Sequence, residues 1–191
     1  RFPMSSLRLF ASERSAGKTV AFRGDSVRVE KVGPDAFKGV EITFFSAGSA
    51  QSKEYAPLAV KAGAVVVYKS SAFRMDPAVP LVVPEINPHA VKGHSGIVAS
   101  PNCTTVVTVM PLKPLHDAAR LRRVIATSYQ AVSGAGVRGV EELRRQTLAW
   151  ARGEALTVEF FPHQIAFNLI PHIDRFADNG YTGEELKLIT E

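Results

Sequence analysis

Short β-branched runs alternate with helical or turn segments through the first half of this 191-residue chain, and that alternation limits the fold more than any other feature. Leu7 to Ala11 reads as a strand, Ser12 to Lys18 as a polar loop and Val27 to Val32 as a second strand. Gly39 to Ser46 is an apolar run that exits into Ser46, Ala47 and Gly48, the kind of strand-to-loop exit that lines a ligand crevice in open α/β sheets. Ser52 to Ala62 reads as a helix with Glu54 in its first turn and Gly63 just past its end. Ala64 to Tyr68 and Leu81 to Val83 read as buried strands. Strands separated by helices predict an α/β fold with a largely parallel sheet covered on both faces.

The second half changes character. Thr104 to Met110 continues a helix that Pro111 and Pro114 are expected to interrupt. Val124 to Tyr129 is rich in β-branched residues and reads as a strand entering the small-residue turn Ser133-Gly134-Ala135-Gly136. Val137 to Arg152 reads as a helix whose Val140, Leu143, Leu148 and Ala151 are spaced for one buried face. The change in motif density sets a domain boundary near residues 100 to 105, giving units 1–103 and 104–191. Thr182 and Glu185 form a capping box for a helix over Glu184 to Glu191. That helix stops without a terminating signal, and no strand and glycine-rich turn precede Leu7, so the chain is expected to be a fragment.

Composition narrows the function classes. Hydrophobic residues make up 46% of the chain, which argues against disorder, and a single cysteine excludes an intramolecular disulfide framework. With no leader-like start and no long uncharged apolar stretch, a soluble cytoplasmic protein without a membrane partner is expected. The net charge of +5 is spread along the chain with acidic residues between the basic ones. Arg120, Arg122 and Arg123 form one dense cluster, which reads as a solvated face because no aromatic residues interleave with it for base stacking. No nucleic-acid partner is therefore expected; a small anionic substrate or cofactor accounts for the charge, and no metal site is expected.

Cys103 is the candidate for chemistry. It follows a Pro-Asn turn and opens an apolar helical run, so its thiol would feel the positive end of the helix dipole and unpaired N–H groups, both of which favour the thiolate. The alternative is a buried cysteine acting as a small hydrophobe. Asn102 and Thr104 either build an oxyanion or phosphate pocket there or are turn and cap residues. Arg74 follows a buried strand; its planar fork suits a carboxylate or phosphate, and a surface pair with Asp76 is the plainer reading. Gln130 opens the small-residue turn, where Ser133 and Gly134 permit close backbone approach. Arg14 and Ser15 lie in the loop that, in a dinucleotide fold, meets the adenosine ribose and would favour a 2′-phosphate, although Glu13 mixes the signal; a solvated loop is the alternative. Glu184 and Lys187 share a helical face, either as a surface pair or as acidic and basic hands for a zwitterionic phosphorylated ligand.

Taken together, these segments resemble the aspartate-semialdehyde dehydrogenases. The likeness runs in order through Leu-Phe-Ala-Ser-Glu-Arg-Ser-Ala-Gly-Lys18, Phe-Ser-Ala-Gly48, Ser-Ser-Ala-Phe-Arg-Met-Asp-Pro77, Pro-Asn-Cys-Thr-Thr105, Ser-Tyr-Gln-Ala-Val-Ser-Gly-Ala-Gly136, Phe-Asn-Leu-Ile-Pro-His-Ile-Asp174 and Asn-Gly-Tyr-Thr-Gly-Glu-Glu-Leu-Lys187. The resemblance implies a Rossmann-type dinucleotide-binding domain followed by part of an α+β catalytic and dimerisation domain. It implies Cys103 as the nucleophile, Gln130 and Glu184 as substrate-binding, and Arg74, Asn102 and Lys187 as phosphate-binding. Arg14, Ser15, Ser46, Ala47, Gly48, Ser133 and Gly134 would line the site of NADP. The implied protein is a homodimer that reduces 4-phospho-L-aspartate to L-aspartate 4-semialdehyde through a cysteine thioester. That step serves biosynthesis of lysine and diaminopimelate, threonine and methionine.

The related N-acetyl-gamma-glutamyl-phosphate reductase, with the same cysteine chemistry, and a truncated non-catalytic dimer partner are the alternatives. Members of the family also use a glycine-rich first turn, a catalytic histidine and a substrate-carboxylate arginine that this sequence does not contain, so the chain alone is expected to be nearly inactive. His94-Ser95 echoes the histidine motif but lies upstream of Cys103 and reads as a decoy. Tyr68-Lys69 stands where Asp-Asn is common in the family, which puts the support of Arg74 in doubt.

Overall fold

Three parallel strands carry the chemistry-bearing loops of the first half. In the computed structural model, which describes residues 2–191, β4 (Ile42–Phe45) pairs with β5 (Val65–Tyr68) and β5 with β6 (Ile97–Ala99), with Ile42 opposite Val65 and Val66 opposite Ile97. The chain divides into two compact units, Arg1–Met110 with Glu191, and Pro111–Thr190.

In the first unit, α1 (Ser49–Lys61) connects β4 to β5 and buries Ser52, Ala56 and Ala59. These small residues lie three or four apart and so share one face of the helix. They pack into a core with Phe37, Phe45, Ala64, Val66, Tyr68 and Ala99. A second sheet has β1 (Leu9–Ala11) parallel to β3 (Asp25–Lys31), and β2 (Thr19–Phe22) antiparallel on the other edge of β3. β2 was not foreseen. It is joined to β3 through Arg23 and Gly24, whose φ of 54° and 95° are those of a two-residue hairpin turn matched to strand twist.

Several expectations are corrected. α1 starts at Ser49, so Glu54 lies beyond its first turn. Leu81 to Val83 makes a single bridge, Leu81 to Ala99, instead of a strand. α2 (Cys103–Ala119) runs through both Pro111 and Pro114. The carbonyls that lose their helical partners to these prolines belong to Val107 and Met110, both exposed residues, so the missing bonds fall on the solvent side of the helix rather than in the core. Val124 to Tyr129 is not a strand: no strand among the described residues pairs with it, and Ile125 and Tyr129 are more than 80% exposed. β-branched residues favour an extended chain, but a strand exists only where a neighbour completes its ladder.

The second unit contains the later part of α2, a 3₁₀ turn at Val132–Ala135, α3 (Val137–Ala151) and α4 (Gly183–Thr190). The buried face of α3 is Gly139, Glu142 and Gln146, whereas Val140 and Leu148 are exposed. The apolar spacing was therefore read for the wrong face. Polar side chains go inward because the segment over residues 157–166 has no ladder of its own. Its backbone groups bond to α3 instead: Gln146 donates to the Thr157 carbonyl at 2.9 Å and accepts from the N–H of Ile165 and of Ala166, both at 3.0 Å.

Candidate active site

The carboxyl ends of β4, β5 and β6 deliver Ser46 to Gly48, Arg74 and Cys103 respectively, the edge where open parallel sheets hold their ligands. Cys103 is the first residue of α2 and is exposed, so the buried-hydrophobe alternative falls away. Asn102 precedes it and is buried; its Oδ1 accepts the N–H of Thr104 at 2.7 Å, and its carbonyl accepts the N–H of Val106 at 3.0 Å. The side chain of Asn102 therefore caps the helix that starts with the thiol. Thr105, one turn in, is buried with no partner for its hydroxyl among the described residues.

Arg74 does not pair with Asp76. Its side chain is 8% exposed, and Nη1 donates to both carboxylate oxygens of Glu191, at 3.0 and 3.2 Å. Nη2 donates to the Lys69 carbonyl at 2.6 Å. The support of Arg74 therefore comes from a main-chain oxygen and is indifferent to the side chain at position 69. Tyr68 contributes through its hydroxyl, which accepts the N–H of Ala72 at 2.8 Å, and its ring meets Phe73 edge-on at 5.0 Å. Glu191 also accepts the N–H of Asn102. Sequence reasoning gave Glu191 no role; only its place at the end of a helical run was visible.

Ser46, Ala47 and Gly48 are exposed at the start of α1, whose N-cap Gly48 has no side-chain cap bond. The Ala47 carbonyl accepts the hydroxyl of Ser70 and, at 3.4 Å, that of Ser52, which ties the loop after β4 to the loop after β5. Arg14 and Ser15 lie in the turn after β1, with the Ser15 N–H bonded to the Ser12 carbonyl at 3.0 Å. The neighbouring Glu13 is held by Lys31 Nζ at 2.7 Å, and its carboxyl sits below the usual carboxylate range because of that hydrogen bond. The acid that mixed the charge signal is thus turned to another cation. His94 Nδ1 accepts the N–H of Gly96 at 2.9 Å, a local loop role.

In the second unit the candidates form a chain. Gln130 Nε2 donates to Glu184 at 3.2 Å, and Lys187 Nζ reaches Glu184 at 3.3 Å and Asp174 at 3.0 Å. Burial pulls the Lys187 ammonium down, but the hydrogen bonds and charges of Asp174 and Glu184 outweigh it, so the net direction is up. The Asp174 carboxyl is lowered by the Lys187 hydrogen bond and then by the N–H of Arg175. Asp174 was missed as a partner, although Gly183 hints at it: a Cβ there would lie 2.5 Å from Asp174 Oδ2. Ser133 and Gly134 are exposed in the 3₁₀ turn. Of the three phosphate candidates, Arg74 and Asn102 are brought together in the first unit and Lys187 belongs to the second.

Residues 1–94 match the semialdehyde dehydrogenase NAD binding domain, and residues 112–191 the semialdehyde dehydrogenase dimerisation domain. The chain is 51% identical over 194 aligned positions to aspartate-semialdehyde dehydrogenase of Aquifex aeolicus (strain VF5), covering all of this chain and 57% of that protein. The chain matches the aspartate-semialdehyde dehydrogenases at high identity along its whole length. Its relative in Bacillus subtilis (strain 168) is 49% identical over 197 positions, again with 100% and 57% covered. The crystal structure of aspartate semialdehyde dehydrogenase II from Vibrio cholerae superimposes with a TM-score of 0.93 at 47% identity, covering 98% of this chain and 57% of that one. The chain thus spans just over half the length of the family members it matches. Its architecture is the family's Rossmann-type domain followed by part of the α+β dimerisation domain. Among the described residues no helix is long and apolar enough to cross a membrane.

Proposed function

We propose that the full-length protein is a cytoplasmic, homodimeric, NADP-dependent aspartate-semialdehyde dehydrogenase. It converts 4-phospho-L-aspartate to L-aspartate 4-semialdehyde and phosphate, in the biosynthesis of lysine and diaminopimelate, threonine and methionine. The observation that carries this reading is an exposed Cys103 at the start of α2, beside a buried Arg74 at the carboxyl edge of a parallel sheet. On this reading residues 1–103 bind the cofactor and residues 104–191 contribute substrate contacts and the dimer interface.

The helix start favours the Cys103 thiolate, which attacks the acyl carbon. A carbon–sulfur bond forms, the carbon–oxygen bond to phosphate breaks, and the acyl group rests on Sγ as a thioester. Arg74, the Asn102 side and Lys187 offset the charge of the departing phosphate. Gln130 and Glu184 hold the amino-acid end, with the Glu184 carboxylate matched to its ammonium. The residues fit a 2′-phosphorylated dinucleotide: Arg14 is exposed and its acidic neighbour Glu13 is already paired, while Ser46 to Gly48 offer an uncapped helix start. NADPH, when bound, supplies the hydride that takes the thioester to the aldehyde level. Ser133 and Gly134, with no bulky side chain, allow close backbone approach to a ligand.

The test is turnover of the full-length protein on 4-phospho-L-aspartate and on N-acetyl-gamma-glutamyl phosphate, each with NADPH and with NADH. Turnover with 4-phospho-L-aspartate and NADPH that Cys103→Ala abolishes is expected. Turnover with the acetylated substrate alone would move the protein to the sister reductase.

A further inference from the structure

We infer that Glu191 is a positioning residue that fixes the Arg74 guanidinium and the start of α2 as one unit; the inference rests on the reading in which Arg74 meets the leaving phosphate and Cys103 the acyl carbon. Glu191 lies 117 residues from Arg74 and 89 from Asn102, yet its carboxylate joins them. Its side chain is 3% exposed, so this is a desolvated carboxylate, and such a group is tolerated only where donors surround it. Two sets of donors do so, Arg74 Nη1 against both oxygens and the Asn102 N–H.

The consequences for the two functional groups are separate. Arg74 is anchored at two nitrogens, Nη1 by Glu191 and Nη2 by the Lys69 carbonyl, so its plane cannot turn, while Nε is buried with no partner among the described residues. The anchored fork keeps a fixed orientation toward an incoming phosphate, and its charge is not lost to a mobile surface acid. Asn102 is held at its N–H by Glu191 and at its side chain by the Thr104 N–H, and the next residue is the nucleophile. A shift of either group pulls on the other through one carboxylate. Glu191 touches no reacting atom on this reading.

A rival role for a carboxylate on this arginine is a plug that competes with phosphate. The two roles differ in sign. The experiment compares wild type, E191Q and E191D of the full-length protein by steady-state kinetics, and by the inorganic phosphate concentration that half-protects Cys103 from iodoacetamide. Displacing one charge-assisted contact is expected to raise the KM for the acyl phosphate about 10- to 100-fold in E191Q and to weaken phosphate protection in proportion, with KM for NADPH unchanged. E191D, which keeps the charge, recovers part of both. If E191Q does not fold, E191D carries the test with the same pattern at a few-fold. Phosphate protection that is unchanged or stronger in the folded variants overturns the proposal. Wild-type turnover and its loss in C103A report on the dehydrogenase reading itself, and protection by phosphate is read without turnover, so the two failures are distinguishable.

Discussion

The carboxylate of Glu142, inside α3, accepts the backbone N–H of Phe160, and takes those of Glu159 and Phe161 as well, at 3.2 and 3.4 Å. Three successive N–H groups converging on one acceptor form a nest, and the acid that fills it is 2% exposed. Glu142→Ala is expected to destabilise the second unit by about 2–3 kcal/mol, because it leaves these donors without their acceptor. Urea unfolding checks this; a loss below about 0.5 kcal/mol would show that water replaces the carboxylate.

Thr182 and Glu185 make the full reciprocal cap at the start of α4. The Thr182 N–H and hydroxyl donate to Glu185 at 2.7 and 2.8 Å, and the Glu185 N–H donates back at 3.3 Å. Thr182→Ala removes the hydroxyl's two bonds and should cost about 1 kcal/mol. Thermal unfolding reads it, and Thr182→Ser should lie close to the parent.

Asp174→Asn removes the charge that holds Lys187 Nζ at 3.0 Å. With only Glu184 left, the ammonium is less constrained, so KM for the phosphorylated substrate should rise several-fold while Cys103 alkylation is unaffected. An unchanged KM would assign the ion pair to stability alone.

The same pair sets a pH window. Asp174 is depressed in the folded protein, so its contribution is present above the ordinary carboxylate value of about 4 and is lost as pH falls through the folded value. Lys187 is raised, so its contribution is present below about 10.4 and is lost as pH rises through its folded value. The stability difference between the parent and Asp174→Asn, on the order of 1 kcal/mol for a partly exposed pair, should be flat between about pH 5 and 10 and shrink on both sides. Denaturant midpoints across that range decide it.

Cys103, being exposed at a helix start, should be alkylated stoichiometrically by iodoacetamide in the native protein. Labelling only after denaturation would contradict the placement.

Much of the first unit was legible. The apolar run at β5 and the helix before it follow from period and breaker residues, because a buried parallel strand is apolar along its length; β4 is equally apolar but leaves Ile42 and Phe44 exposed. The position of Cys103 at a helix start was legible for the same reason, since Pro-Asn can only be a turn there. What misled was local. Proline at 111 and 114 signals a stop, yet α2 runs through both where Val107 and Met110 are exposed; Val124 to Tyr129 has strand propensity, but no strand among the described residues pairs with it. The α3 helix was legible as a helix but not in its orientation, because hydrophobic spacing assumes that the buried partner is apolar, whereas its partner is a loop with main-chain groups to satisfy.

The sequence by itself determined which residue types stand at each strand exit: a thiol after β6, an arginine after β5 and small residues after β4. Local propensity and turn chemistry act over a few residues, so these placements need no distant information. Which acid meets which base was decided by the tertiary structure alone. Arg74 passes over Asp76, two positions away, for Glu191, and Lys187 adds Asp174 to the helical neighbour that spacing offered. An ion pair between groups far apart in the chain depends on where the packed core puts their backbones and on how much water it removes, and neither quantity is written in the spacing of the residues.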